Sequence, residues 1–485
     1  MVVINCATGT IDEYVPSAER PWNETRAKHL YRRLGFGGNQ AQIEAALSQS
    51  PTDLVDALID EAITMPFTDE PEWANWTFAD YGGTQEAFFE QQSEQFVEWV
   101  IAWVKDMHDK GFREKLSLFW HNHFVTRAEA YICPSHMFRY HRLLQQYALG
   151  NFKEFVSEIG LTPAMLVFLN GVENSYVSPN ENYARELYEL FTMGQDNNYT
   201  QTDIEETARA LTGWNGYFEF CDDIEFLPLL HDTNDKTIFG ETGNWGYDDV
   251  INILFEQRQM EISTFICDKL YRNFVHPDGS EEIVTELAAT FRDNNWELAP
   301  VFRQMFKSEH FFDDYIIGTL VKNPADFVIG MFKPCNFETN DGLLEISAYL
   351  IYGLGQELFN PVDVAGWPGN RTWINGTTLT GRWQSADLVL GTLFQELPQT
   401  LVDFAWTLAG DATDPAFVTQ KIIDHLVPNG LNTPDAYDTA TEVFKWEVPQ
   451  NYYDLELWNL NWETAPAQVA LLLQHLSRLP EFQLQ

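Results

Sequence analysis

Apolar residues recur at helical spacing along most of this chain, and that repeat commits it to a mainly α fold. In RAKHLYRRLGF, Leu30, Tyr31 and Leu34 are the apolar positions, with Gly35, Gly37 and Gly38 behind them as stop signals. The GxGG run is followed by no Lys-Ser/Thr and preceded by no strand, so it reads as a helix end and turn, not a phosphate loop. QIEAALSQSPTDLVDALIDEAI gives two short helices broken before Pro51. Residues 84–126 read as two long helices, 136–160 as another pair, and 250–275 and 281–308 as further helical stretches. Two stretches, 214–249 and 359–378, lose the period and fill with Gly, Asp, Asn and aromatics. The expectation is a large multi-helix protein with long irregular insertions and at most a minor β element. It divides into an N-terminal helical region (1–115), a central region (116–330) and a C-terminal region (331–485).

Composition narrows what such a chain can do. It has 485 residues, 45% hydrophobic and 14% aromatic, enough for a large core. Its 72 acidic and 29 basic residues leave a net charge of −43. Such a surface repels phosphate backbones and anionic membranes, so neither nucleic acid nor membrane insertion is expected. The most apolar window, FVEWVIAWV, is too short to cross a bilayer. The start, MVVINCATGT, has no basic region of a signal peptide, which makes a soluble, cytoplasmic protein the default. The five cysteines stand far apart without a CxxC pair. They give no zinc ribbon, no covalent haem attachment and no disulfide framework, and a reducing compartment is compatible.

Chemistry concentrates in the central region. On a helix, REKLSLFWHNHF places His123 in a stripe with Leu116, Phe119, Trp120 and Phe124, while His121 lies toward the other side. A buried imidazole needs a hydrogen-bond partner or a metal, and a joint site for the two requires the helix to end or distort there. NENYARELYELFTMG puts Tyr183, Leu187, Leu190 and Phe191 on one face. Glu181, Asn182, Arg185, Glu186 and Glu189 sweep the other, with Glu186 at the edge where a carboxylate can turn inward. Thr200 and Asp203 form a capping-box pattern before the next helix. LLHDTNDKTIFG then sets His231, Asp232 and Lys236 in a loop, as a ligand or a base with its orienting acid.

HLYRRLGFG, FWHNHFV, NENYARELYELFTMG, YTQTDIEETARALTGW, the HD followed by K and FG, LVKNPADFVIG and VAGWPGNRTWINGTTL stand in this order. In this the chain resembles the bacterial domain of unknown function 1800 family from about residue 27 to nearly the end. The resemblance implies a mostly helical protein keeping genomic company with alkaline-phosphatase-superfamily-like partner proteins, often in exported systems. It carries over His121, His123, Asn180, Glu181, Arg185, Glu186, Glu189, His231, Asp232 and Lys236 as polar motif residues. Many relatives have a histidine where this chain has Phe191, and many begin with an export signal.

Three functions follow as expectations. The first is a metal-dependent hydrolase holding a divalent metal ion with His121, His123, Glu186 and His231, in which Asp232, Glu189 and Arg185 do the chemistry. The second is a non-catalytic acidic helical scaffold or partner-binding protein. The third is an oxidative haem protein with His123 on the iron and Arg185 nearby.

Overall fold

Side-chain caps set where the helices begin. Asn39, Ser50, Thr84, Thr162, Asn323, Asn340 and Asn375 each accept a backbone N–H from the first turn of the helix that follows. Pro51, Pro163 and Pro324 follow three of them at the first helical position, where no donor is lost. The computed structural model describes residues 9–82, 84–217 and 220–485. The start read above for a signal peptide, and Cys6 with it, lies outside the described residues except for Gly9 and Thr10.

The described residues hold 23 α-helices and only two small antiparallel two-stranded sheets, so the fold is mainly α. Both sheets lie in the irregular stretch after residue 213. One pairs Trp214–Asn215 with Glu225–Phe226 and the other pairs Lys236–Ile238 with Glu241–Gly243. The stretch read as two long helices is Gln85–Lys110 and Phe112–His123, divided at Gly111, whose φ of 69° a residue with a Cβ rarely adopts. Gly37 ends the first turn region with φ 113° and packs so close to Pro334 that a Cβ would lie 2.5 Å from its ring. The GxGG run is thus a turn, as its residues suggest.

One connected core runs from Tyr14 to Phe482 and draws side chains from all three regions. The Phe112–His123 helix passes through its middle, with every residue except Asn122 buried. Polar side chains on such a helix must therefore find partners inside the protein. Arg113 donates to the Pro66 carbonyl at 2.7 Å and pairs with Glu114 at 3.0 Å, and Gln145 donates to that same carboxylate.

The cysteines depart from the expectation. Cys133 and Cys221 form a disulfide, Cα atoms 5.2 Å apart, across 88 residues of sequence. It ties the loop between the first two strands to the start of the Pro134–Gln146 helix, beside Tyr81 and Phe88. Spacing in sequence could not reveal it, because tertiary folding brings the two cysteines together.

Candidate functional site

The two motif histidines leave the same helix on different sides. The Phe112–His123 helix stays regular through His123, so positions two apart cannot face one site. His121 is fully buried and its Nε2 accepts the Phe359 N–H at 2.9 Å. The ring proton therefore sits on Nδ1, which donates to the Tyr140 hydroxyl at 3.0 Å, and that hydroxyl donates onward to the Phe124 carbonyl at 2.8 Å. Both ring nitrogens are used. Burial pushes the His121 pKa down to about 3, so the ring is neutral.

His123 is held differently. Its Nε2 donates to the Phe191 carbonyl at 3.0 Å, and Nδ1 is buried without a hydrogen-bond partner. Burial, with the nearby Lys269 charge, keeps its pKa well below the ordinary value. The rings of Phe119, Trp120, Phe124, Phe152, Phe191 and Phe265 surround it. The helix that supplies the Phe191 carbonyl begins as α-helix at Asn182–Glu186 and widens to a π-helix over Leu187–Thr192. Within that widened segment Tyr188 is buried alongside Leu187 and Phe191, and its hydroxyl bonds the Thr207 hydroxyl.

The acidic side of that helix stays out of the histidine cage. Arg185 pairs with Glu181 at 2.9 Å and reaches Glu189 at 3.5 Å, the surface ladder that the i, i+4 spacing allows. Glu186 is half-buried; burial, and then the Glu189 charge, raise its pKa against the pull of Arg185.

The HD loop is a locked turn. The His231 ring donates from Nδ1 to the Thr212 carbonyl at 2.9 Å. Asp232 accepts from Arg209 Nε at 2.8 Å and from the Asn234 backbone and side chain. Burial pushes this carboxyl up, but those donors and the Arg209 charge outweigh it and hold its pKa at about 2. A carboxylate that weakly basic is a poor proton acceptor at neutral pH. Lys236 is buried and donates to the carbonyls of Asp232 and Trp245.

The four expected ligands, His121, His123, Glu186 and His231, are therefore each committed to separate surroundings. Among the described residues, no three His, Cys, Asp or Glu side chains gather as a metal ion needs. A regular helix directs positions i and i+2 to different sides, and the rings of His121, His123 and His231 bond the backbones of Phe359, Phe191 and Thr212 respectively.

What the motifs do bring together is elsewhere. Asn122 clamps the Trp367 backbone, accepting its N–H at 2.6 Å and donating to its carbonyl at 3.1 Å. Gly366 makes the approach possible, with φ 81° and Asn122 Oδ1 at 2.3 Å from where a Cβ would stand. FWHNHF and AGWPG thereby dock, and LVKNPADF joins them: a cavity of about 90 Å³ is lined by Asn122, Asn323, Asp326, Trp367, Asn370 and Trp373 among others. Lys115 Nζ meets Asp326 there at 2.8 Å and donates to the Arg32 and Gly35 carbonyls. Asn122 stood in the motif all along; its bidentate use of a backbone was the signal missed.

A much larger apolar groove has Phe359, whose N–H His121 accepts, in its lining. It measures about 640 Å³ and runs between the Gln85–Lys110 helix and the Asp341–Gly353 helix, which pack together. Phe96, Val100, Ile101, Ile132, Ala348 and Leu358 line it, and Phe359 closes its floor. Val97, Tyr349 and Tyr352 stand on its rim at 59%, 69% and 56% exposure, an outlay of apolar surface that soluble folds seldom leave unused. Phe359 has a φ of 65°, strained for a side chain of its size. His121 holds its N–H, and its carbonyl accepts the Ala128 N–H at 2.8 Å.

No curated protein and no solved structure matches the chain. The family described as protein of unknown function (DUF1800) matches residues 29–484, a span that takes in every motif named above. On that match, the chain belongs to the DUF1800 family.

Proposed function

We propose that this chain is a partner-binding protein, not a hydrolase, and that it binds through the groove between the Gln85–Lys110 and Asp341–Gly353 helices. The observation that carries this is the 640 Å³ apolar groove itself, of the size that holds ligands or side-chain anchors, with exposed aromatic residues at its rim. The FWHNHF motif supports the reading by position: His121 fixes the strained Phe359 that floors the groove. Its histidine is then a positioning residue for a binding surface. The metal-dependent hydrolase draws less support, since no three such side chains gather among the described residues and the rings of His121, His123 and His231 bond three different backbone groups. The haem reading draws less support: the sequence carries no covalent attachment motif, and Arg185, which it places near the iron, is engaged with Glu181.

The test is titration with Nile red, a neutral apolar fluorophore, against the wild-type chain, Ala348→Trp and Tyr352→Ala. Ala348→Trp fills the groove without changing charge, and Tyr352 is exposed enough that its loss leaves folding intact. Saturable binding that weakens tenfold or more in Ala348→Trp supports the proposal. Equal binding by all three proteins, or none by any, overturns it. Elemental analysis of the same samples addresses the hydrolase, which requires a stoichiometric metal that is lost in His123→Ala.

A further inference from the structure

Resting on that binding role, the charges around the groove identify what it takes. We infer that the groove receives a basic amphipathic helix from a partner protein, apolar side chains seated inside and lysine or arginine flanks on the carboxylates at its edges.

Three features combine. The groove lies between two packed helices and opens in part to solvent, as a helix-in-groove contact requires. Every charged side chain in its lining is a glutamate: Glu345, Glu357 and Glu129, the last of them paired with Arg127. Its wall continues into a ladder at i, i+4 spacing, since Glu86, Glu90 and Glu94 precede Val97 and Ile101 on the same face of the Gln85–Lys110 helix. All three carboxylates are exposed. The cations at the margins are already neutralised, Arg127 by Glu129 at 2.8 Å and Lys105 by Asp109. An acidic or neutral helix would meet uncompensated like charge or none, whereas a basic one gains attraction at both banks. Tyr349 and Tyr352 on the rim add faces for cationic side chains to lie against.

The probes are a fluorescein-labelled leucine–lysine amphipathic peptide of about four helical turns and its leucine–glutamate counterpart with the same apolar face. Against the intact chain, the lysine peptide is expected to displace Nile red and to bind at least tenfold more tightly than the glutamate peptide. Its affinity should fall tenfold in Ala348→Trp and severalfold in Glu94→Gln/Glu345→Gln, and it should weaken with added salt. The lysine peptide binding equally well to Ala348→Trp would mean attachment elsewhere on the acidic surface, and the inference falls. It falls too if the glutamate peptide binds as well as the lysine one. Nile red that is lost in Ala348→Trp but not displaced by the lysine peptide marks a small apolar molecule as the occupant, leaving the binding role and removing the helix. Nile red indifferent to Ala348→Trp removes both.

Discussion

His121 Nε2 accepts the Phe359 N–H at 2.9 Å across 238 residues of sequence, joining the FWHNHF motif to the floor of the 640 Å³ groove. His123, two residues on, instead caps the carbonyl of Phe191 at the end of a π-helix. The two imidazoles are therefore predicted to differ when removed.

In His121→Leu the Phe359 N–H loses its acceptor in a buried place, which costs about 1–3 kcal/mol. The loss should also loosen the groove floor, so urea unfolding shows the destabilisation and Nile red binding weakens with it. His123→Leu leaves only a carbonyl under-used, a milder defect, and should leave Nile red affinity unchanged. Equal effects on the probe from both variants would refute the positioning role given to His121.

Acid should unfold this protein more steeply than its carboxylates alone dictate. His29, His121, His123 and His141 are all fully buried, and burial drives each pKa below 6.5, to about 3 for His121. An unfolded histidine takes up its proton near pH 6.5. Between that value and the folded one the unfolded chain binds more protons, so stability is whole above about 6.5 and declines as pH falls, by about 1.4 kcal/mol per unit for each such histidine. Urea midpoints measured from pH 7.5 to 5.5 should show the decline, and His121→Gln should reduce its slope by one proton.

Asp326 is the carboxylate whose charge acts on Arg33, Lys115, Lys322 and Arg382, all of them buried. Burial, joined by the Arg32, Arg382 and Lys115 charges against the pull of Asp326, brings the Lys322 pKa to about 7. Asp326→Ala strips the compensation from Lys115 and should cost about 3–5 kcal/mol. Lys115→Met in the same chain should recover part of that loss. A double-mutant cycle without coupling would show the pair to be incidental.

The Cys133–Cys221 bond closes a loop of 88 residues. By loop entropy such a closure is worth on the order of 4 kcal/mol. Cys133→Ser/Cys221→Ser, or treatment with reductant, should lower the melting temperature by several degrees. Limited proteolysis should then cut first in the stretch around residues 214–227, which the bond pins. An unchanged melting temperature on reduction would show that the bond carries no load.

Much of the fold was legible in the chain itself. Helical periodicity, the glycines behind Leu34, the capping box of Thr200 and Asp203, and the loss of period after residue 213 are local signals, and the structure follows each. The π-helix was not legible, because a widened turn depends on what packs beside Leu187 and Tyr188, and no residue type encodes it. The candidate site divides the same way. The sequence marked His121 and His123 as imidazoles on a buried helix and Asp232 as an acid beside His231 in a loop, which local pattern suffices to suggest. It could not say which partner each would meet: the Phe359 N–H, the Phe191 carbonyl and the Arg209 guanidinium lie 238, 68 and 23 residues away.

Residue order thus determined the helices, their ends and the acidic surface, since these depend on neighbours within a few turns. Tertiary structure alone decided the disulfide, the Asn122–Trp367 clamp and the apolar groove, because each is made of surfaces that become neighbours only when distant helices pack.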